Sequence, residues 1–157
     1  MMPFLERFRQ SKLTLHEAER ILADVNPDQC FMLKNGQVIR NLHELERALS
    51  NMDESVFNHH VEQEKNDFAS WIADVIKDYR LAYFVGRKKN NLKMAAVVRE
   101  RIELLERQID REKEKVHSLE SDIFDHRDRY EHIALALICG LLLVIAVVLA
   151  LRLMGVF

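Results

Sequence analysis

The chain has 157 residues, of which 23 are basic and 25 acidic, and its formal net charge of −2 does not favour binding to nucleic acid. Its two cysteines, Cys30 and Cys139, form no CxxC motif, so the composition excludes a disulfide framework. With only four glycines and two prolines, the sequence favours ordered helices over flexible linkers. We predict a mostly α fold: a small helical domain with one β-hairpin, and a long coiled-coil helix continuous with a single C-terminal transmembrane helix.

The N-terminal stretch, residues 1–13, mixes apolar and charged side chains and lacks the apolar run of a signal peptide. We expect a short amphipathic helix there that packs on the domain or touches the membrane surface. Thr14 with Glu17 three residues later forms a capping-box pattern, which predicts the start of the next helix. Pro27 should end that helix, because proline cannot continue its hydrogen-bond ladder.

A hairpin is predicted near residues 30–40, where the pair Asn35-Gly36 separates two short apolar runs. In a tight two-residue turn both of these residues would have a positive φ. Asn41 and Glu44 then repeat a capping pattern, so we expect another helix to begin directly after the second strand.

The clearest helical pattern of the soluble part follows a predicted short helix that Asp53 can cap. Asn66 or Asp67 is expected to cap this clearer helix, with Asp74 and Asp78 on its solvated face. Apolar side chains recur at helical spacing and predict one continuous buried face. That face consists of Phe68, Trp71, Ile72, Val75, Ile76 and Tyr79.

The composition divides the chain into five parts. Residues 1–86 are predicted to form the α-rich domain, and residues 87–91 form a basic linker. Residues 92–132 are predicted to form a coiled-coil stalk, since they contain neither glycine nor proline. Residues 133–152 form the predicted transmembrane helix, and residues 153–157 form a short tail.

The stalk carries a heptad pattern without interruption, with β-branched residues at a positions and leucine at d positions. This pattern favours a parallel dimer, and it would equally suit packing against helices of a larger membrane assembly. Glu112 and His126 occupy d positions, which is typical of register control. The predicted seam consists of Val98, Ile102, Leu105, Ile109, Val116, Leu119 and Ile123.

The segment Ile133–Leu151 has no charged residue over 19 positions, which is about the length needed to cross a bilayer as a helix. Arg127 and Arg129 precede it and Arg152 follows it, so the positive-inside rule predicts a cytoplasmic N-terminal domain and a tail anchor in the cell membrane. Small residues four positions apart permit close helix packing in the span. They are Ala136 and Gly140.

The sequence contains no nucleophile elbow, glycine-rich phosphate loop or HExxH motif, so we predict no enzyme activity, catalytic residue, metal or cofactor. Adjacent histidines point about 100° apart on a helix, and we expect His59 at the surface beside a partly buried His60. Asp67 is better explained as a helix cap than as a metal ligand. The candidate partner-binding residues are Arg87, Lys88, Lys89, His59 and His60.

Residues 31–82 carry a pattern of apolar and polar positions whose most specific part is Asn66-Asp67-Phe68-Ala69, followed by Trp71, Asp74 and Val75. This stretch resembles a small, mainly archaeal domain family of unknown function. The resemblance implies a ligand- or protein-binding module and assigns no active-site residue. Its remaining positions here are Phe31, Gly36, Leu42, Leu45, Met52, Phe57, His60, Val61, Asp78, Leu81 and Ala82.

These patterns lead to one main hypothesis and two alternatives. The chain is predicted to be a non-enzymatic membrane protein that presents a cytoplasmic protein-binding module, as a dimer or as an accessory subunit of a larger complex. The first alternative is a small-molecule sensor that relays through the stalk. The second is a membrane-tethered enzyme, which would need a pocket lined by His43, His60, Asp67 or Asp74.

Overall fold

The computed structural model describes residues 13–153, and within the last helix the side chains at 122–132, 134, 147 and 153 lie outside that description. The expected helix in residues 1–13 and the short tail therefore fall almost wholly outside the described residues. The chain is mostly helical with one antiparallel hairpin, as predicted. The helices are α1 (Leu15–Leu22), α2 (Leu42–Asn51), α3 (Glu54–His60), α4 (Asp67–Trp71), α5 (Tyr79–Gly86) and α6 (Asn91–Leu153), and the strands are β1 (Phe31–Met32) and β2 (Val38–Ile39).

Side-chain caps begin three of these helices where the sequence predicts them, whereas Asp53 precedes α3 without a side-chain cap hydrogen bond. Thr14 accepts a hydrogen bond from the Glu17 N–H (3.2 Å), and the Glu17 carboxylate accepts one from the Thr14 N–H (2.8 Å), which confirms the capping box. Asn41 begins α2 by accepting from the Glu44 N–H at 2.8 Å. Asn66 begins α4 in the same way, through the Ala69 N–H. Each cap satisfies a helix N–H that has no partner within the helix.

The hairpin forms as predicted, with Phe31 opposite Ile39 and Met32 opposite Val38, but its turn differs from the tight two-residue form. The Gly36 N–H donates to the Leu33 carbonyl (2.9 Å), and only Gly36 of the turn has a positive φ, at 85°. This is the longer turn in which one left-handed glycine follows a type I turn. Asn35 therefore does not need the strained conformation.

The helix predicted across residues 68–79 is interrupted, so the prediction of one continuous apolar face is wrong. After α4 the backbone forms a π-helical turn over Ile72–Ile76. This turn ends at Lys77, which adopts the left-handed conformation with φ 61°. Arg20 supports this ending by donating to the Ile76 carbonyl at 2.9 Å. Because α5 begins afresh at Tyr79, that side chain lies outside the buried face and is 66% exposed.

Lys77 offers a direct test of this interruption. A left-handed conformation costs a residue with a β-carbon about 1–2 kcal/mol, whereas glycine adopts it freely at some cost in chain entropy. We therefore expect Lys77→Gly to raise the free energy of unfolding by roughly 0.5–1 kcal/mol, measured by denaturant unfolding with the fluorescence of the single tryptophan, Trp71. Lys77→Val should lower it, and a gain with valine would contradict the left-handed backbone.

The core of the N-terminal unit is an aromatic cluster surrounded by aliphatic side chains. Phe68 is fully buried, with its ring centroid 5.2 Å from that of Phe31 and 6.1 Å from that of Phe57. The Trp71 indole N–H donates to the Gln29 carbonyl at 2.8 Å, so its polar atom is satisfied although the ring is buried. The fully buried aliphatic side chains around this cluster include Ile39, Leu42, Leu45, Leu49, Ile72, Leu81, Val85, Met94, Val98 and Leu105.

The chain divides into two compact units, one ending at Glu112 and one beginning at Lys113, and helix α6 contributes residues to both. Its first part, residues 91–112, belongs to the core of the N-terminal unit, which thus extends beyond the predicted linker at residues 87–91. Val97, Glu100 and Arg101 are buried there although none of them lies at an a or d position. Burial on so many sides is typical of a central core helix rather than a two-helix seam.

The predicted seam is therefore divided. Val98, Ile102 and Leu105 are buried within the N-terminal unit, and Ile109 packs at its margin. Val116 and Leu119 are 50% and 61% exposed in the second unit, whereas the Ile123 side chain lies outside the described residues. The unit's own core fills the first half of the heptad pattern, and the exposed apolar stripe begins beyond it.

The second unit, residues 113–153, contains the apolar segment. Among the described residues, one stretch, Leu135–Arg152, is long and apolar enough to cross a membrane, judged by its length and composition. Ala136 and Gly140 are exposed on it, and nothing lies within 4 Å of the position that a β-carbon at Gly140 would take. Close helix packing at these two positions stays a prediction from the sequence.

Candidate protein-binding surface

His60, one of the predicted partner-binding residues, is buried inside the N-terminal unit. Its Nδ1 lies 3.1 Å from Asp67 Oδ2, and its Nε2 accepts a hydrogen bond from the Lys34 N–H at 3.1 Å. The accepting Nε2 requires the proton to be on Nδ1, where it is donated to Asp67. His60 thereby connects α3 to the hairpin and to α4, while His59 stays at the surface as predicted.

This histidine–aspartate pair has the connectivity of a catalytic base but not its availability. A general base must leave one ring nitrogen within reach of a substrate proton. Here Nε2 accepts the Lys34 N–H, and the centroid of the imidazole ring lies 5.2 Å from that of Phe31 and 5.4 Å from that of Phe68. The pair is thus built to hold the hairpin in place.

Asp67 makes this connection dependent on pH. Burial opposes its ionisation, but hydrogen bonds from Lys65 and His60 outweigh that effect and lower its pKa below the usual 3.8. A pKa that is lower in the folded state stabilises the fold at every pH above the pKa of the unfolded state. This stabilisation is lost as the pH falls through the pKa of the folded state. We expect the wild type to be more stable than Asp67→Asn at about pH 6, with the difference shrinking towards about pH 3. A difference that stays constant in Trp71-monitored unfolding would contradict this.

A second buried polar pair joins the start of α5 to α6. Arg101 Nε donates to Asp78 Oδ2 at 2.7 Å, and both side chains are nearly inaccessible. The other Asp78 oxygen accepts from the Leu81 N–H at 3.0 Å and so caps α5. The prediction that Asp78 lies on a solvated face is wrong, because Arg101, 23 positions later, draws the carboxylate inside.

The basic cluster at residues 87–89 is partly used by the fold itself. The Lys89 ammonium donates to the carbonyls of Glu62 and Gln63, at 2.9 and 3.2 Å, and so closes the turn before α4. Lys88 is half-buried. Arg87 remains exposed and packs on Tyr83: its guanidinium carbon lies 5.3 Å from the ring centroid, and its Nη1 donates to the Tyr83 hydroxyl at 2.9 Å.

Tyr79, Tyr83 and Arg87 form one exposed row, four positions apart, which we name the α5 surface. Tyr79 and Tyr83 are 66% and 59% exposed, whereas the opposite side of the helix is buried through Leu81 and Val85. Exposed tyrosine and arginine side chains on the same side of a helix have the composition of protein-binding hot spots. The stacking on Tyr83 also holds the Arg87 guanidinium in place before any partner arrives.

Of this surface, only Arg87 is among the partner-binding residues predicted from the sequence. The helical period, when it is extended through the interruption at Lys77, assigns Tyr79 to the buried face. A usable signal lies in the sequence from position 79 onward. Counting from Asp78 as a new helix cap puts Leu81, Ala82 and Val85 on one side and both tyrosines on the other.

Among the side chains that the structure describes, no group of three or more histidine, cysteine, aspartate or glutamate residues is placed to hold a metal ion. Comparison of the chain with known proteins gives no match to a family model, a curated protein or a solved structure. The resemblance of residues 31–82 to an archaeal domain family therefore stays a prediction.

Proposed function

We propose that this chain is a membrane-anchored, non-enzymatic protein whose N-terminal unit binds a protein partner at the α5 surface. The observation that carries the proposal is the exposed row of Tyr79, Tyr83 and Arg87. Asp78, the one acidic residue between positions 77 and 89, is buried against Arg101. The exposed charges of that stretch are therefore positive, and they favour a partner with acidic side chains.

In this proposal the helix assigned over Asn91–Leu153 runs unbroken from the core of the unit into the membrane. Its apolar segment, Leu135–Arg152, would be the single span in the cell membrane. Arg127 and Arg129 precede the span, which favours an N-terminal unit in the cytoplasm. The exposed Val116 and Leu119, three positions apart on an otherwise charged helix, suit either a second copy or a helix of a larger complex.

The test is affinity purification of the full-length protein from its native membrane in mild detergent. The double variant Tyr83→Ala/Arg87→Ala should lose a stoichiometric partner that the wild type retains. Truncating one hot-spot residue costs at least about 2 kcal/mol, which is roughly thirty-fold in affinity. The control Arg107→Ala removes an exposed arginine from another helix and should retain the partner. Equal recovery with the wild type and the double variant would refute the α5 surface.

A further inference from the structure

A groove lies between β2 and the second half of α2, and the function proposed above makes no use of it. Its volume is about 490 Å³, within the range of ligand-binding sites. Val38 forms part of the strand wall, and Arg47, Ala48, Asn51 and Met52 form part of the helix wall. We name this feature the β2 groove.

Among the described residues, no hydrogen bond to the backbone of Val38 is formed from outside the hairpin. Leu33 donates to the Gln37 carbonyl at 2.9 Å, and Met32 pairs with Val38, so Val38 occupies a position that is not hydrogen-bonded across the hairpin. In an antiparallel pair, the N–H and C=O of such a residue point away from the partner strand. Val38 therefore presents one donor and one acceptor along the free edge of β2, and edges of this kind accept another strand.

The chain already uses the neighbouring position of this edge in the same way. Arg40, two residues further along β2, has its carbonyl bonded by the Val25 N–H at 2.8 Å. Its own N–H is taken by the Glu44 carboxylate, also at 2.8 Å. At Arg40 the edge of β2 is thus paired with an extended segment of the chain. At Val38 the outward N–H and C=O are not used by the hairpin, and the side chain is 44% exposed.

The helix wall supplies chemistry that complements an extended peptide. Ala48 and Met52 give the wall apolar surface, and the Asn51 amide adds polar groups. Glu44 is engaged by Arg40, with 2.8 Å between Arg40 Nη2 and Glu44 Oε1. Arg47 is exposed and lines the same wall, where its guanidinium is the group able to pair with a carboxylate; Asp53 lines the groove beyond Met52.

We propose that the β2 groove binds an extended segment of a partner protein by strand addition at Val38, with an acidic side chain of that segment beside Arg47. Main-chain hydrogen bonds would supply affinity, and the alternating side chains of the added strand would supply specificity. The groove is a separate site from the α5 surface, and it can be tested independently of the proposed function.

The probe is a phage-displayed library of linear peptides, selected on the full-length protein in detergent. A selected peptide is then titrated against variants. Val38→Pro removes the outward N–H, and proline is tolerated on an edge strand; Arg47→Glu reverses the charge. Each should weaken binding about ten-fold or more, since an unsatisfied peptide carbonyl or a lost charged pair costs roughly 1–3 kcal/mol. Val38→Ala keeps the N–H and Tyr83→Ala/Arg87→Ala alters the other surface, so both should bind nearly as the wild type does.

N-methylated copies of the same peptide give a readout that only strand addition produces. Methylation of the peptide amide that pairs with Val38 should abolish binding. Methylation of either adjacent amide should leave binding intact, because those amides point away from β2. Trp71 fluorescence shows whether each protein variant remains folded. A peptide that is insensitive to N-methylation, or that binds Val38→Pro as tightly as Val38→Ala, would overturn the proposal. So would a library that yields no binder dependent on the groove.

Discussion

Replacing Arg101 by methionine should lower the free energy of unfolding by about 3–5 kcal/mol, the largest loss of stability that we expect from removing one charge. The substitution leaves the Asp78 carboxylate buried, still bonded to the Leu81 N–H at 3.0 Å but without its cation. An isolated buried carboxylate must protonate or drag water into the core, and either response costs stability. Denaturant unfolding followed through Trp71 measures the loss, because this residue lies in the core of the same unit.

The double variant Asp78→Ser/Arg101→Met separates the cost of an uncompensated charge from the value of the pair. Serine can still cap α5, and neither remaining side chain is charged, so most of the lost stability should return. Arg107→Met is the control, since Arg107 forms an exposed pair with Glu103 at 3.9 Å, and it should change stability by less than about 0.5 kcal/mol. A double variant as unstable as Arg101→Met alone would contradict a true buried ion pair.

The second large effect concerns the apolar segment. Two arginines placed in its middle, as Leu142→Arg/Ile145→Arg, should release the protein from membranes. Each arginine near the centre of a span costs about 2.5–3.5 kcal/mol of insertion free energy. Membrane association is measured by alkaline extraction followed by sedimentation, with the wild type in the pellet and the variant in the supernatant.

The matched control places the same two charges outside the segment, as Ser118→Arg/Ser121→Arg, on exposed positions of the same helix. This variant should remain in the pellet. A Leu142→Arg/Ile145→Arg protein that still resists alkaline extraction would contradict a spanning role for Leu135–Arg152.

Local sequence signals predicted the parts of the fold that short-range chemistry determines. The capping residues Thr14, Asn41 and Asn66 each bond an N–H three positions away, and Gly36 supplies a positive φ within a single turn. Such features depend on neighbours in the chain, so a pattern of a few residues contains the necessary information.

Long-range contacts decided the parts that were not predicted. The helix after Trp71 ends at Lys77, where Arg20 holds the Ile76 carbonyl from 56 positions away. Asp78 is buried only because Arg101 lies against it. Without those distant partners in view, the helical period continues through the interruption and assigns Tyr79 to the core.

The heptad pattern shows a different ambiguity. Apolar side chains at a 3–4 spacing, as at Val98, Ile102 and Leu105, suit a dimer seam and an intramolecular core equally well. The distinguishing feature is the burial of Val97 and Arg101, which lie off the seam. Only the packing of the whole unit reveals that burial, and it leaves Val116 and Leu119 as the exposed part of the stripe.

The central claim is that a protein partner binds the α5 surface of the membrane-anchored protein, and site-specific photo-crosslinking tests it most directly. A benzoylphenylalanine residue would replace Tyr83, and in a separate protein it would replace Asn58, an exposed position on α3. Irradiation of native membranes should give one crosslinked species of defined mass from position 83 and little or none from position 58. The same pattern of products from both positions, or none from position 83, would contradict the claim.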